Sequence, residues 1–319
     1  MHYIEFLLLL YGFEYYLVFC YDEAMEEIQK LLGEFPQKVD LNAEILEEID
    51  CGSYTRQKIA YDVEENDRIS AYVCLPKNLL GPTAAIFCHH QHHGQFELGK
   101  SEVVGLAGDP NQAYAKELAE RGFITFAPDA IAFEERDWSK QGVAEYFELA
   151  TRLVQGKTLM AKVLHDVSVG VDYLTSRYDV DANKLGFIGH SYGGRMALWV
   201  PAFDNRIKAS VSNCGCVDYK HSLTHDTGIQ MEFCIPGFME SYDIDDVIAQ
   251  FTDCPLLIIA GEDDKWSRGY EKLHKAIYEK GNKTTELSVY TGGHQFTPEM
   301  RKKAYSFLET KLKVGSSLL

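Results

Sequence analysis

Short apolar runs recur along the chain, and each is followed by a longer segment of helical periodicity. The runs are Thr83–Cys88, Phe123–Ala127, Lys184–Gly189, Ile207–Ser212, Pro255–Ala260 and Glu286–Tyr290. Helical patterns cover Asn111–Arg121, Val143–Val154, Leu159–Arg177, a stretch from Ser191 to Val200, Ile244–Gln250, Arg268–Lys280 and Pro298–Leu312. A strand covered on both faces reads as a continuous apolar run, and parallel neighbours need a crossover long enough to hold a helix. The alternation therefore specifies an α/β fold, with a mostly parallel central sheet and helices on both faces. Ahead of it, Tyr54–Val63 and Arg68–Leu75 alternate with period two around Glu64-Glu65-Asn66-Asp67. They predict an antiparallel N-terminal hairpin at the sheet edge.

The chain shows no internal repeat and no Pro/Gly/Ser linker, so residues 25–319 read as a single domain. Stretches near 129–157 and 214–243 exceed ordinary loop lengths. They are expected to be insertions over the carboxyl edge of the sheet, where α/β folds keep their sites. Residues 1–24 form an apolar N-terminal appendage. It lacks a basic residue before Lys30, and Glu5 and Glu14 interrupt it, so neither a signal peptide nor a membrane span is expected. An apolar appendage of this kind makes a homodimer contact a candidate.

Composition narrows the partners. With 31 basic and 48 acidic side chains the net charge is −17, which disfavours nucleic acid and anionic membrane surfaces. The eight cysteines are scattered, several within apolar runs, as free thiols in a reducing cytoplasmic compartment would be. Cys214-Gly-Cys216 has no matching second pair for zinc, and no metal is expected.

Gly189-His190-Ser191-Tyr192-Gly193 lies between an apolar run and a helix. A serine on so sharp a turn exposes its hydroxyl, and glycine on either side avoids collisions. The following amide, that of Tyr192, can donate to a developing oxyanion. The stretch Asp179-Val-Asp-Ala-Asn-Lys-Leu-Gly-Phe-Ile-Gly-His-Ser-Tyr-Gly-Gly-Arg-Met-Ala resembles the α/β-hydrolases, most closely the dienelactone hydrolase and acetyl xylan esterase-like branch. The preceding helix with His165-Asp166 is similar too, and the resemblance spans residues 50 to 312.

That resemblance implies the chain order serine, acid, histidine. After Pro255–Ala260 comes Gly261-Glu262-Asp263-Asp264, where family spacing selects Asp264, with Asp263 the alternative. Gly292-Gly293-His294 follows the last apolar run and supplies His294 as general base. Four of the eleven histidines fall within five positions, in Cys88-His89-His90-Gln91-His92-His93. This loop is where relatives carry the second oxyanion donor after a His-Gly pair. Here Gln91 replaces the glycine, so the donor is His92 or Gln91. His90, Gln95 and Phe96 are expected to contact substrate. Phe133, Trp138, Tyr146 and Phe147 form either a lid or local packing.

The function expected is that of a serine hydrolase. It would cleave small carboxylic esters with short acyl groups through an acyl-enzyme on Ser191, without cofactor. The alternatives are a prolyl-oligopeptidase-like peptidase, which would need a propeller domain, and a non-catalytic binding protein on the same fold.

Overall fold

A computed structural model describes residues 24–139, 143–216, 218–224, 227–251 and 253–312. The expected appendage lies outside these residues except for Ala24, which opens helix α1 (residues 24–32). The strands are β1 (Glu44–Asp50), β2 (Tyr54–Glu64), β3 (Asp67–Pro76), β4 (Thr83–His89), β5 (Ile124–Pro128), β6 (Val180–His190), β7 (Ile207–Asn213), β8 (Leu256–Gly261) and β9 (Glu286–Tyr290). They form one sheet in the order β1-β2-β3-β5-β4-β6-β7-β8-β9. From β5 to β9 all pairings are parallel, whereas β1, β2 and β3 pair antiparallel and attach to β5. The fold is the α/β arrangement expected, with the antiparallel strands at its N-terminal edge.

The edge holds one strand more than the hairpin. β1 reads Glu-Ile-Leu-Glu-Glu-Ile-Asp and all of its residues are exposed. It is tied to the sheet by the backbone ladder to β2 and by polar surface contacts, Glu44 with Arg68 at 2.7 Å, Glu48 with Gln57 at 2.6 Å and Asp50 with Lys77 at 2.6 Å, so no buried face writes a pattern into the sequence. Its acidic side chains blunt the open edge against further strand pairing.

The helices are α2 (Lys100–Val103), α3 (Tyr114–Ala119), α4 (Val143–Val154), α5 (Leu159–Ser176), α6 (Tyr192–Phe203), α7 (Tyr219–Thr224), α8 (Phe238–Ser241), α9 (Ile244–Ile248), α10 (Tyr270–Glu279) and α11 (Pro298–Leu312). The helix expected over Asn111–Arg121 is shorter. Asp109 accepts the Asn111 amide at 2.9 Å and caps a 3-10 turn at Pro110–Gln112, so α3 begins only at Tyr114. The two long stretches carry local elements: α4 in the first, α7, a 3-10 turn at Met231–Phe233 and α8 in the second.

Each sheet face carries its own core. α5, α6 and α9 bury Leu164, Val167, Met196 and Val247 against Phe87, Phe126 and Phe187. On the other face α3 and α11 bury Leu118, Met300 and Leu308 against Ile86, Cys88 and Val211. The alternation of Phe87 and Cys88 between the two is the period-two geometry of a strand. α5 starts where the Thr158 hydroxyl accepts the Ala161 amide at 3.1 Å. α6 contains Pro201, which has no amide for the Ala197 carbonyl four residues back. The Ser210 hydroxyl of β7 donates to that carbonyl at 2.7 Å and binds the helix to the sheet.

α5 is also fastened to the β2–β3 turn. Lys162 is 1% exposed and meets Asp67 at 2.6 Å, Asp166 at 2.7 Å and Glu64, while Arg136 bridges Asp67 and Asp166 at 3.0 Å each. Burial works against its charge, but these carboxylates raise the ammonium above its usual value. Removing one partner of such a network leaves buried charge uncompensated. Lys162→Ala is expected to cost about 3–5 kcal/mol in urea unfolding, and Lys162→Met less, because the apolar stem still fills the space.

Candidate active site

β6 ends at His190 and α6 starts at Tyr192, so a single residue makes the turn. That residue, Ser191, has φ 56° and ψ −112°. Such a conformation costs a non-glycine residue about 1–3 kcal/mol and persists only where its surroundings enforce it. The Ser191 amide donates to Asn213 O at 2.9 Å, and the Arg195 amide donates to Ser191 O at 2.9 Å. A Cβ on Gly193 would stand 2.1 Å from His89 O, and one on Gly189 2.3 Å from the Gly193 carbonyl carbon. The glycines flanking the serine are therefore steric requirements of the turn.

The loops after β8 and β9 meet beside it. Asp264 is 4% exposed, and His294 Nδ1 lies 3.0 and 3.1 Å from its two carboxylate oxygens. Asp263, one residue earlier, is exposed. A carboxylate only accepts, so Nδ1 carries the proton, leaving Nε2 of the neutral ring as an acceptor. Asp264 also accepts the Trp266 amide at 2.9 Å and the Ser267 hydroxyl at 2.7 Å. It thus caps the 3-10 turn at Lys265–Ser267 while it orients the histidine. Burial would raise its pKa, but His294, Ser267 and the Trp266 amide hold it below the ordinary carboxylate value.

His190 lies with its ring 4.7 Å from that of His294, and its Nδ1 is 2.6 Å from the Asn213 side-chain nitrogen. Burial and the neighbouring His294 push it well below the usual imidazole value, so His190 stays neutral there. Cys214 Sγ–H points to Gln295 O at 3.4 Å. Potential ligand atoms of Cys214, Asp264 and His294 lie within 4.8 Å of one another. Burial and the Asp264 charge raise the Cys214 thiol, keeping it protonated, and Asp264 is engaged by three donors. This chemistry suits a hydrogen-bonded cluster rather than a metal cage.

The histidine run separates into two roles. His89 Nδ1 lies 3.0 Å from His90 O, and burial, with the charge of His90, lowers its pKa to about 3. His90 donates from Nδ1 to Gln91 O at 2.8 Å and accepts the Ala130 amide on Nε2 at 3.0 Å. Burial lowers its pKa to about 4, so it too is a neutral structural ring. His92 is different: Nδ1 accepts the Gly94 amide at 3.2 Å, and Nε2 donates to Glu145 at 3.0 Å. The Gln91 side chain donates to Glu102 at 2.9 Å.

Ser191, His92, His93, Glu145, Trp266 and His294 border a cavity of about 530 Å³. Of the residues expected to contact substrate, Gln95 lines a second cavity beside His294. His90 and Phe96 line neither. Phe96 packs against the rings of His92 and Phe133, each 5.1 Å away. Phe133 is buried, whereas Trp138, Tyr146 and Phe147 are exposed and pack on one another.

Sequence reasoning missed an acidic pair. Glu145 on α4 and Glu232 on the Met231–Phe233 turn are 3% and 0% exposed, and the Glu232 carboxyl faces both Glu145 and Tyr192. Burial, then the charge of Glu145, raises Glu232 well above its usual value, so it keeps its proton. Nothing in Gly228-Ile-Gln-Met-Glu-Phe233 signals this, because the pairing arises only when α4 and the Met231–Phe233 turn meet.

A strained serine on the strand-to-helix turn, with a carboxylate-bound imidazole on the loops after the last strands, is the architecture of the α/β-hydrolases. Within them the chain belongs to the dienelactone hydrolase family, whose model matches residues 100–311. It is 28% identical over 298 residues to YtaP of Bacillus subtilis (strain 168), described only as a hydrolase, covering 90% of this chain and 98% of that one. Among solved structures, the methylesterase BT1017 superposes with a TM-score of 0.72 at 20% identity, covering 93% of this chain and 64% of that one. An acetyl xylan esterase from Paenibacillus sp. R4 superposes with a TM-score of 0.62 at 18% identity, covering 92% and 93%. Among the described residues no helix is long and apolar enough to cross a membrane.

Proposed function

We propose that the protein is a serine esterase that cleaves carboxylic esters of short acyl groups. The observation that carries this reading is the Asp264–His294 hydrogen bond, at a cavity that Ser191 and His294 both line. Ser191 Oγ attacks the acyl carbonyl carbon as His294 Nε2 takes its proton, and Asp264 stabilises the imidazolium that forms. The Tyr192 amide, at the start of α6, and an amide of the Gln91–His92 loop donate to the oxyanion. As the tetrahedral intermediate collapses, the bond to the alcohol oxygen breaks and that oxygen receives the proton from His294. Water, deprotonated by His294, then attacks the acyl-enzyme and releases the acid, regenerating Ser191.

Trp266, Met231 and Ile229 border the same cavity as Ser191 and offer an apolar wall to an acyl group. The short-acyl part draws on the name of one structural relative, an acetyl xylan esterase. A fluorophosphonate probe is expected to label the wild type and leave Ser191→Ala unlabelled. Equal labelling of both would remove the serine reading, and faster hydrolysis of p-nitrophenyl octanoate than of the acetate would remove the short-acyl one.

A further inference from the structure

An oxyanion donor works only if its amide is held at a fixed point, and the loop after β4 carries one side chain with both ring nitrogens committed. His92 Nε2 donates to Glu145 of α4 at 3.0 Å, and Nδ1 accepts the Gly94 amide at 3.2 Å. We propose that Glu145 is a positioning residue: by holding His92, it keeps the Gln91–His92 loop aimed at the oxyanion. The inference rests on the serine-esterase reading and adds a residue on which the transition state of that reaction depends.

Three observations carry it. The first is the state of the ring. A carboxylate only accepts, so Glu145 places the His92 proton on Nε2 and leaves Nδ1 as the acceptor for the Gly94 amide. With both nitrogens engaged, His92 has no lone pair to offer Ser191. It is therefore not a second base, and its work is on the loop itself.

The second is the backbone. His93 and Gly94 have φ 44° and 68°, both in the left-handed region. For His93 that conformation costs about 1–3 kcal/mol and must be enforced by its surroundings. The bond from the Gly94 amide to His92 Nδ1 spans this residue. The carboxylate that fixes the ring thus also fixes the turn that follows the donor.

The third is packing. Glu145 is 3% exposed, lies 53 residues from His92 in the chain, and borders the Ser191 cavity beside it. The His92 ring lies 6.3 Å from that of Tyr192, whose amide is the other donor. Glu232 faces both Tyr192 and Glu145, so the two arms of the oxyanion site share one buried cluster. Because Glu232 keeps its proton, it adds no negative charge beside a developing oxyanion.

Steady-state kinetics on p-nitrophenyl acetate test this. Glu145→Leu leaves the Nε2 proton unpaired and is expected to lower kcat about 10²-fold, as loss of one oxyanion donor does, with KM changed by less than about threefold. Glu145→Gln retains an oxygen acceptor and is expected to keep kcat within about threefold of wild type. His92→Ala keeps the backbone amide, loses the clamp, and is expected to match Glu145→Leu. If Glu145 acts through His92, the double variant is about as slow as either single one, whereas independent roles would multiply to about 10⁴-fold. A folded Glu145→Leu with kcat near wild type, a loss confined to KM, a Glu145→Gln as slow as Glu145→Leu, or multiplying losses overturns the proposal. If Glu145→Leu does not fold, His92→Ala decides by the same kcat measure. Absence of wild-type hydrolysis, or equal fluorophosphonate labelling of Ser191→Ala, would strike the esterase reading itself, so the two failures are distinguishable.

Discussion

Ser191→Ala is expected to lower kcat for p-nitrophenyl acetate by about 10⁵-fold, with KM changed little. Alanine retains the turn's backbone and removes only the attacking oxygen, so binding survives and the chemical step does not. Asp264→Asn is expected to lower kcat by about 10⁴-fold for a different reason. An asparagine that presents its NH₂ group to Nδ1 favours the ring tautomer with the proton on Nε2, so His294 can no longer accept from Ser191. Asp264 also holds Ser267 and the Trp266 amide, so this variant should lose some stability as well. Steady-state kinetics with the folded fraction measured in parallel separates the two effects. A kcat within tenfold of wild type for Ser191→Ala would sink the mechanism.

The other large effect concerns stability. In the folded protein Glu232 keeps its proton above the ordinary glutamate value of 4.5, chiefly because it is buried and also because it faces Glu145. In the unfolded chain it loses that proton near the ordinary value. The folded state therefore binds more protons above that pH, and stability falls as pH rises. One proton of difference corresponds to about 1.4 kcal/mol per pH unit, until the folded carboxyl itself ionises. Glu232→Gln removes this dependence while preserving a hydrogen-bonding head group. Urea titrations between about pH 6 and pH 8 should show the wild type losing stability relative to the variant as pH rises. Parallel curves would mean that the pair does not share a retained proton in the folded state.

The parts legible in the sequence were those written by local pattern. The parallel strands are apolar runs because both faces are covered, and the serine turn needs glycines at fixed offsets, so both can be read directly. Asp264 was separable from Asp263 only through family spacing, and its burial against His294 shows why the two neighbours differ. β1 escaped because its side chains are all exposed, and a backbone ladder with polar surface contacts leaves no apolar pattern. The Glu145–Glu232 pair escaped because it depends on a contact between segments far apart in the chain. His90 and Phe96 were expected against substrate because a loop location does not disclose which way a ring faces. Packing turned both inward.

Asn213 closes β7, and its carbonyl holds the Ser191 amide while its side chain lies 2.6 Å from His190 Nδ1 and donates to Gln295 O at 3.0 Å. One residue thus ties both Ser191 and the loop of His294 to the same strand end. The long segment between β7 and β8 begins immediately afterwards, at Cys214, and supplies Thr227, Ile229 and Met231 to the cavity wall. Asp264 and His294 come later still, on the loops after β8 and β9, so this segment is bracketed in the sequence by the strand ends that carry Ser191 and the Asp264–His294 pair. Exchanging that one contiguous stretch would reshape the cavity wall while the sheet keeps those three side chains in register.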